Sequence, residues 1–196
     1  MIAPASNLIP KRGRAKATET RWPVYDPLCY FWNSMRLSHP LLVESPHRLL
    51  AEYPVVVSLT VEWGDQDCFQ HVNNTVYLKW CETARVVYLE LAGMWPLIQK
   101  EGRGPILAAI TCDYRLPVTF PDTVQVGARV TRIGNSSFRM EHAVVSLRQD
   151  ALVAESGSVL VFVEYENNQP LPVPEAIRAA FAEIEGRPLA ELSGNG

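Results

Sequence analysis

One stretch constrains the fold of this chain more than any other: residues 75–91, TVYLKWCETARVVYLEL, which run up to Gly93. At about 100° per residue, Tyr77, Trp80, Cys81, Ala84, Tyr88 and Leu91 fall on one broad apolar face. Leu78 and Leu89 sit on a flank away from it. Only Lys79, Thr83 and Glu90 form a coherent polar strip, with Val86 beside it. A helix that is apolar nearly all round must be enclosed by the rest of the chain. Gly93 stands where a left-handed residue ends such a helix.

The surrounding sequence supplies strands to enclose it. Residues 54–63 are β-branched and alternating, and after the helix come four further runs, 106–115, 123–133, 137–147 and 151–165. Pro121-Asp122, Gly134-Asn135 and Gln149-Asp150 punctuate them, and connections this short make hairpins. A last helix is expected over 175–184, directly after Pro174. One helix and five antiparallel strands, segregated in sequence, predict an α+β fold in which the sheet wraps the helix.

The chain has 196 residues, the size of one domain with length to spare. Residues 1–50 form an N-terminal extension, partly packed or disordered, 51–186 the main domain and 187–196 a C-terminal tail. Trp22, Tyr25, Tyr30, Phe31 and Trp32 crowd the extension and favour its partial packing on the domain; a short helix is expected at 29–37.

A net charge of -3 gives no footprint for nucleic acid, and no apolar run reaches the ~18 residues that cross a bilayer. Cys29, Cys68, Cys81 and Cys112 form no CxxC pair, and the four histidines show no HxxxH spacing, so neither a zinc site nor a redox motif is expected. Each cysteine reads as a small buried residue in a reducing compartment. The compartment expected is the cytoplasm, with the mitochondrion as the alternative raised by Lys11, Arg12, Arg14 and Lys16.

The chemistry concentrates between the first strand and the helix, in Trp63-Gly64-Asp65-Gln66-Asp67-Cys68-Phe69-Gln70-His71-Val72-Asn73-Asn74. Asn73 or Asn74 can cap the helix, and Asp65 can turn the chain or accept backbone bonds. Asp67 stands next to a helix N-terminus, where the dipole and free N–H groups stabilise an anion. It can serve as nucleophile or base, while the same N–H groups polarise a carbonyl oxygen. Glu82 falls between Leu78 and Leu89, where a carboxylate must find a partner or take up a proton. Arg85, three residues on, is the candidate partner, and a structural pair competes with catalysis.

Val61 to Asp67, His71-Val72-Asn73-Asn74, Tyr77-Leu78-Lys79-Trp80 and Glu82 together resemble the 4-hydroxybenzoyl-CoA thioesterase-like branch of the hotdog superfamily. The HVNN signature with its downstream YLxWxE is also similar to acyl-acyl carrier protein thioesterases. Asp113-Tyr114-Arg115, Pro121-Asp122 and Gly134 to Ser137 fall where these families place later strands and turns, so the resemblance covers about residues 53 to 166.

The resemblance implies a hotdog fold, a five-stranded sheet around one long helix, assembled as a homodimer or higher homo-oligomer with the site between subunits. It implies hydrolysis of acyl-CoA or related thioesters with no metal or redox cofactor, coenzyme A entering as part of the substrate. The second acid of the family's GDxD segment falls on Asp67. His71 matches the histidine of the DxNxH loop in the carrier-protein enzymes, where Phe69 replaces the asparagine. Another branch carries histidine where Asn74 stands. Glu82 aligns with an acidic helix residue and ranks second to Asp67. His71 and Asn74 would position water or the acyl group. Competing readings are a hotdog dehydratase or hydratase, whose HFP-type motif is missing, and a non-catalytic acyl-binding protein.

Overall fold

The computed structural model describes residues 39–193. The helix expected at 29–37 and Cys29 lie outside the described residues. Strand β1 (Val55–Thr60) leads through a 3-10 turn at Trp63–Asp65 into the long helix α1 (Asn74–Leu91) and a short helix α2 (Trp95–Glu101). Strands β2 (Arg103–Tyr114), β3 (Thr123–Ile133), β4 (Ser137–Ser146) and β5 (Ala151–Glu164) follow, then the two-residue β6 (Gln169–Pro170), α3 (Glu175–Glu185) and α4 (Leu189–Leu192). The principal strands are antiparallel in the order β1-β3-β4-β5-β2, with β6 added beside β5.

Alternation along the strands decides what each face covers. Val55 and Val57 on β1, Val124, Val126, Ala128 and Val130 on β3, and Phe138, Met140 and Val144 on β4 join Ala154, Leu160 and Phe162 of β5 against α1. From the helix, Tyr77, Trp80, Cys81, Ala84, Val87, Tyr88 and Leu89 enter this core. α1 rests mainly over β1, β3 and β4, so the inner face of β2 lies largely uncovered. Asn74, Thr75, Lys79, Glu82 and Val86 consequently meet solvent. The nearly all-round enclosure expected of this helix is therefore open along one edge. Glu82, expected among leucines, is exposed there and pairs with Arg85 at 3.6 Å.

The sheet's other face carries a smaller core. Leu50, Val56, Ala143 and Val145 pack with Val43, Tyr53 and Leu152, so the segment just before β1 covers the outer surface of β1, β3 and β4. Hydrogen bonds fasten it: Val43 N–H to Val56 O, Ser58 N–H to Leu41 O, and His47 N–H to the Gln125 side chain at 2.7 Å. Residues 39–50 of the extension are thus part of the packed body. At the other end, the expected tail includes α4, whose Leu192 is fully buried because it closes the core beside α3.

The remaining differences are local. α2 escapes periodicity because seven residues make under two turns, and Pro96 in its first turn resembles a loop signal although a first turn tolerates proline. Cys68 is exposed in the turn before α1, against the expectation that every cysteine is buried; Cys81 is buried and Cys112 partly so. No helix among the described residues is long and apolar enough to cross a membrane.

Gly127 marks where the extension presses closest. A Cβ there would lie 2.5 Å from the Tyr53 ring, far inside contact distance. Gly127→Ala is expected to lower stability by about 1–3 kcal/mol in denaturant melts, as overpacking does. Adding Tyr53→Ala should recover part of that loss; strict additivity of the two changes would show that they do not touch.

Candidate active site

The segment between β1 and α1 is built from interlocking turns. Glu62 N–H donates to the Asp65 carboxylate at 2.8 Å, so Asp65 closes the 3-10 turn as a backbone acceptor. Asn73 N–H then donates to Asp65 O, and Gln66 bridges to Val72, drawing the segment into a loop against the helix start. Within it, Asp67 O accepts from Gln70 N–H at 3.0 Å while Asp67 Oδ1 accepts from Phe69 N–H at 2.8 Å. That is an Asx-type turn, and Gln70 adopts a left-handed φ of 65° within it.

Asn73 joins this turn to the helix. Its Oδ1 accepts from the N–H of Thr75 at 3.0 Å and from the Thr75 hydroxyl at 2.7 Å, capping α1. Its Nδ2 donates to Asp67 Oδ2 at 3.2 Å. One amide thus orients the carboxylate and fixes the end of the helix dipole beside it. Two donors occupy Asp67, where a carboxylate offers about four lone-pair sites. The half-buried side chain lines an open cleft of about 420 Å³ with Trp63, Gln66 and Gln70. Asn74 N–H, at the first helical position, has no acceptor among the described residues.

Tyr77 ties α1 to the loop that follows β2. Its hydroxyl accepts from Val118 N–H at 3.1 Å and donates to Leu116 O, while Val72 N–H donates to Val118 O. Gln66 accepts from Phe120 N–H, and the Phe120 ring meets Trp63 edge-on at 5.7 Å. Tyr114, at the end of β2, donates its hydroxyl to Asn74 O at 3.1 Å.

Asp67, His71 and Asn74 therefore share one end of the molecule. The His71 ring is exposed and makes no hydrogen bond among the described residues; only its carbonyl is used, by Asp67 N–H. Asn74 is exposed and does not cap the helix, a task that falls to Asn73. Glu82 lies about two turns along α1, outside this cluster. Of Phe69, Trp80, Tyr88 and Trp95, the aromatic residues that could line a pocket, Trp80 and Tyr88 are core, Trp95 is half-buried at the start of α2, and Phe69 is 76% exposed beside Asp67.

Two features go beyond what the sequence predicts: Asn73's second role, as donor to Asp67, and a polar group deeper along α1. There Arg85 is buried, and so are His142, Ser156 and Ser158 on the facing strands. Periodicity marks each as inward, Arg85 following Cys81 by four residues on one helix face and His142 alternating with Met140 and Val144 on β4, but does not bring them together.

The antiparallel sheet curled around one long helix is the hotdog fold. Residues 61–181 match the thioesterase-like superfamily, and the chain belongs to that family, whose chemistry is thioester hydrolysis. A thioesterase from Thermus thermophilus, solved with coenzyme A and Zn, superposes with a TM-score of 0.62 at 36% identity, covering 70% of this chain and 99% of that one. The chloroplastic acyl-acyl carrier protein thioesterase of Arabidopsis thaliana is 25% identical over 171 residues, 81% of this chain and 90% of that protein. The long-chain acyl-CoA thioesterase FadM of Escherichia coli (strain K12) is 20% identical over 118 residues, 60% of this chain and 89% of that protein.

Asn73 allows its two tasks to be separated. Asn73→Ala removes cap and donor together and should cost about 0.5–2 kcal/mol of stability. Asn73→Ser keeps a capping oxygen but cannot hold Asp67. It should melt near wild type while kcat/KM falls about tenfold, as for loss of one hydrogen bond to a charged group. Equal activity in the serine variant and wild type would show that the Asn73–Asp67 contact is idle.

Proposed function

We propose that this protein hydrolyses acyl-CoA or a closely related acyl thioester, with Asp67 attacking the carbonyl carbon or activating the water that does so. The observation that carries the assignment is the placement of Asp67. It is oriented by Asn73, partly open to the cleft, and adjacent to the unpaired Asn74 N–H at a helix N-terminus. Carbonyl oxygen placed against that N–H gains a donor and the positive end of the helix dipole as charge develops on it.

Two balanced routes use the same geometry. In one, an Asp67 oxygen bonds to the carbonyl carbon, the thiolate departs, and water cleaves the resulting anhydride to regenerate the carboxylate. In the other, Asp67 takes a proton from water as the water oxygen bonds to that carbon, and the proton passes to the leaving thiolate. His71 and Asn74 would orient water or the acyl group, and Glu82 would act from the open edge of α1. For the coenzyme's phosphates, Arg132 and Arg139 face each other across β3 and β4, while Arg115 is occupied by Glu155 at 2.8 Å.

The substrate site would be completed by a second copy of the chain. β2 is the terminal strand of the sheet, with one edge unpaired over its length among the described residues, and Ile106, Leu107 and Tyr114 are exposed along it. Such an edge calls for a covering partner. Pairing of two copies there would also roof the uncovered flank of α1.

Asp67→Asn should retain the wild-type melting temperature and lower acyl-CoA-dependent thiol release by about 10²–10⁴-fold, the range of a lost catalytic acid–base group. Undiminished release would remove Asp67 from the chemistry. Turnover in heavy-oxygen water, followed by mass analysis of the peptide containing Asp67, tests the anhydride route: label in the carboxylate marks an anhydride opened by water at the Asp67 carbon, whereas label confined to the product acid is common to both routes. For the assembly, sedimentation should give a dimer or a multiple of it, and Leu107→Lys should shift the protein toward monomer with loss of activity. A wild-type monomer with full activity would refute the shared site.

A further inference from the structure

Under the middle of α1, Arg85 Nη1, the His142 ring nitrogens and the hydroxyls of Ser156 and Ser158 are buried without a well-formed hydrogen bond among the described residues; the His142 ring has only the Ser156 backbone near it, and the Ser156 hydroxyl only the Cys81 thiol. Arg85 is 6% exposed, Ser156 5%, Ser158 3% and His142 0%, so these groups are withdrawn from bulk water. Strand register places them together. His142 lies opposite Ser156, and Ser158 is the next inward residue of β5, beside Met140. Across β2, Ser156 faces Cys112 and Ser158 faces Ile110. From the helix, Cys81 and Arg85 point down on the same patch: the Cys81 thiol interacts with Ser156 and Cys112, and the Arg85 charge is felt at His142.

An unsatisfied buried polar atom costs roughly 1–3 kcal/mol, and a charged one more. Four residues bearing such atoms at one place imply an occupant that supplies what they lack. Arg85 can only donate, each serine can donate, and a neutral imidazole has one donor. Burial and the neighbouring Arg85 hold the His142 pKa down at about 3, so at neutral pH the ring carries no charge. Arg85 is therefore the patch's cation, and its carboxylate neighbour Glu82 is 63% exposed and 3.6 Å away, in position to neutralise it only weakly. The patch calls for an accepting, negatively charged oxygen.

Its position relative to Asp67 says how that oxygen would arrive. The Tyr114 hydroxyl touches the first residue of α1, and along β2 the Cys112 and Ile110 rows lie about 7 and 14 Å further down at 3.3–3.4 Å per residue. Tyr114, Cys112 and Ile110 on one side and Leu78 on the other are all exposed or half-buried, edging the flank of α1 that the sheet leaves uncovered. An acyl group whose thioester lies at Asp67 can run down this flank with its far end at the patch.

We infer that Arg85, Ser156, Ser158 and His142 form a specificity subsite for acyl thioesters whose chain ends in a carboxylate, Arg85 providing the charge and the serines and imidazole the remaining donors. This rests on the thioesterase reading of the same site and adds the substrate class to it.

Matched pairs of substrates test it: adipoyl-CoA against hexanoyl-CoA, and suberoyl-CoA against octanoyl-CoA, assayed by thiol release from the full chain. Wild type should favour at least one carboxylate-ended substrate by about tenfold or more in kcat/KM, the discrimination available to a site whose polar groups are otherwise left unpaired. Arg85→Met should abolish or invert that ratio while hydrolysis of the plain substrate persists, and Arg85→Lys should restore part of it. If Arg85→Met fails to fold, the Ser156→Ala/Ser158→Ala double variant carries the test and should reduce the ratio several-fold. Hydrolysis of plain substrates with no carboxylate preference in wild type overturns the subsite and leaves the thioesterase reading intact. An identical ratio in wild type and variants overturns it too. Absence of thiol release from every substrate overturns both readings together.

Discussion

The proposed active site depends on how the first turn of α1 is held. A helix leaves its leading N–H groups unsatisfied, and one side chain, Asn73, both satisfies the Thr75 N–H and grips Asp67. The dipole, the open Asn74 N–H and the carboxylate are thereby locked in one frame. A carboxylate on a free loop would sample many orientations; this one is restrained by the Phe69 N–H and the Asn73 amide. The rest of the fold supports that arrangement by keeping α1 in place.

Two layers of packing do so. The large core clamps α1 against the inward residues of β1, β3, β4 and β5, and Glu185 near the end of α3 adds a polar tie, accepting from the Tyr88 hydroxyl at 2.7 Å and from Val130 N–H. On the outer face, residues before β1 cover what would otherwise be a wet apolar surface, and Arg129 stacks 4.9 Å over the Tyr53 ring while pairing with Glu52 and Glu141. The β2 side has no such covering among the described residues. That asymmetry leaves apolar side chains of β2 and one flank of α1 exposed, with the buried polar patch behind them.

Regular elements were legible because their signals are local. β3 occupies the span that its alternation indicates, and α1 starts one residue before the periodic stretch. Gly93 has the positive φ, 75°, required after the helix. Asp65 as a turn-closing acceptor and Arg85 as the partner of Glu82 follow from spacing alone. Less was legible where neighbours distant in sequence decide. Asn73 and Asn74 are equivalent as letters, and only the direction of the loop makes Asn73 the cap. Cys68 resembles Cys81 in composition, yet one sits in an exposed turn and the other under the helix.

The sequence by itself determined the helix, the strands, the turns between them and the carboxylate-bearing segment before α1, because periodicity, caps and turn residues act over a few positions. Tertiary structure alone decided which helix flank is left open, that residues 39–50 belong to the packed body, and that Arg85, His142, Ser156 and Ser158 converge. Those residues lie up to 73 positions apart, from 85 to 158, and meet only because antiparallel register brings β4 and β5 side by side beneath α1. Burial and pairing of that kind are properties of the assembled sheet, so no local pattern of residues encodes them.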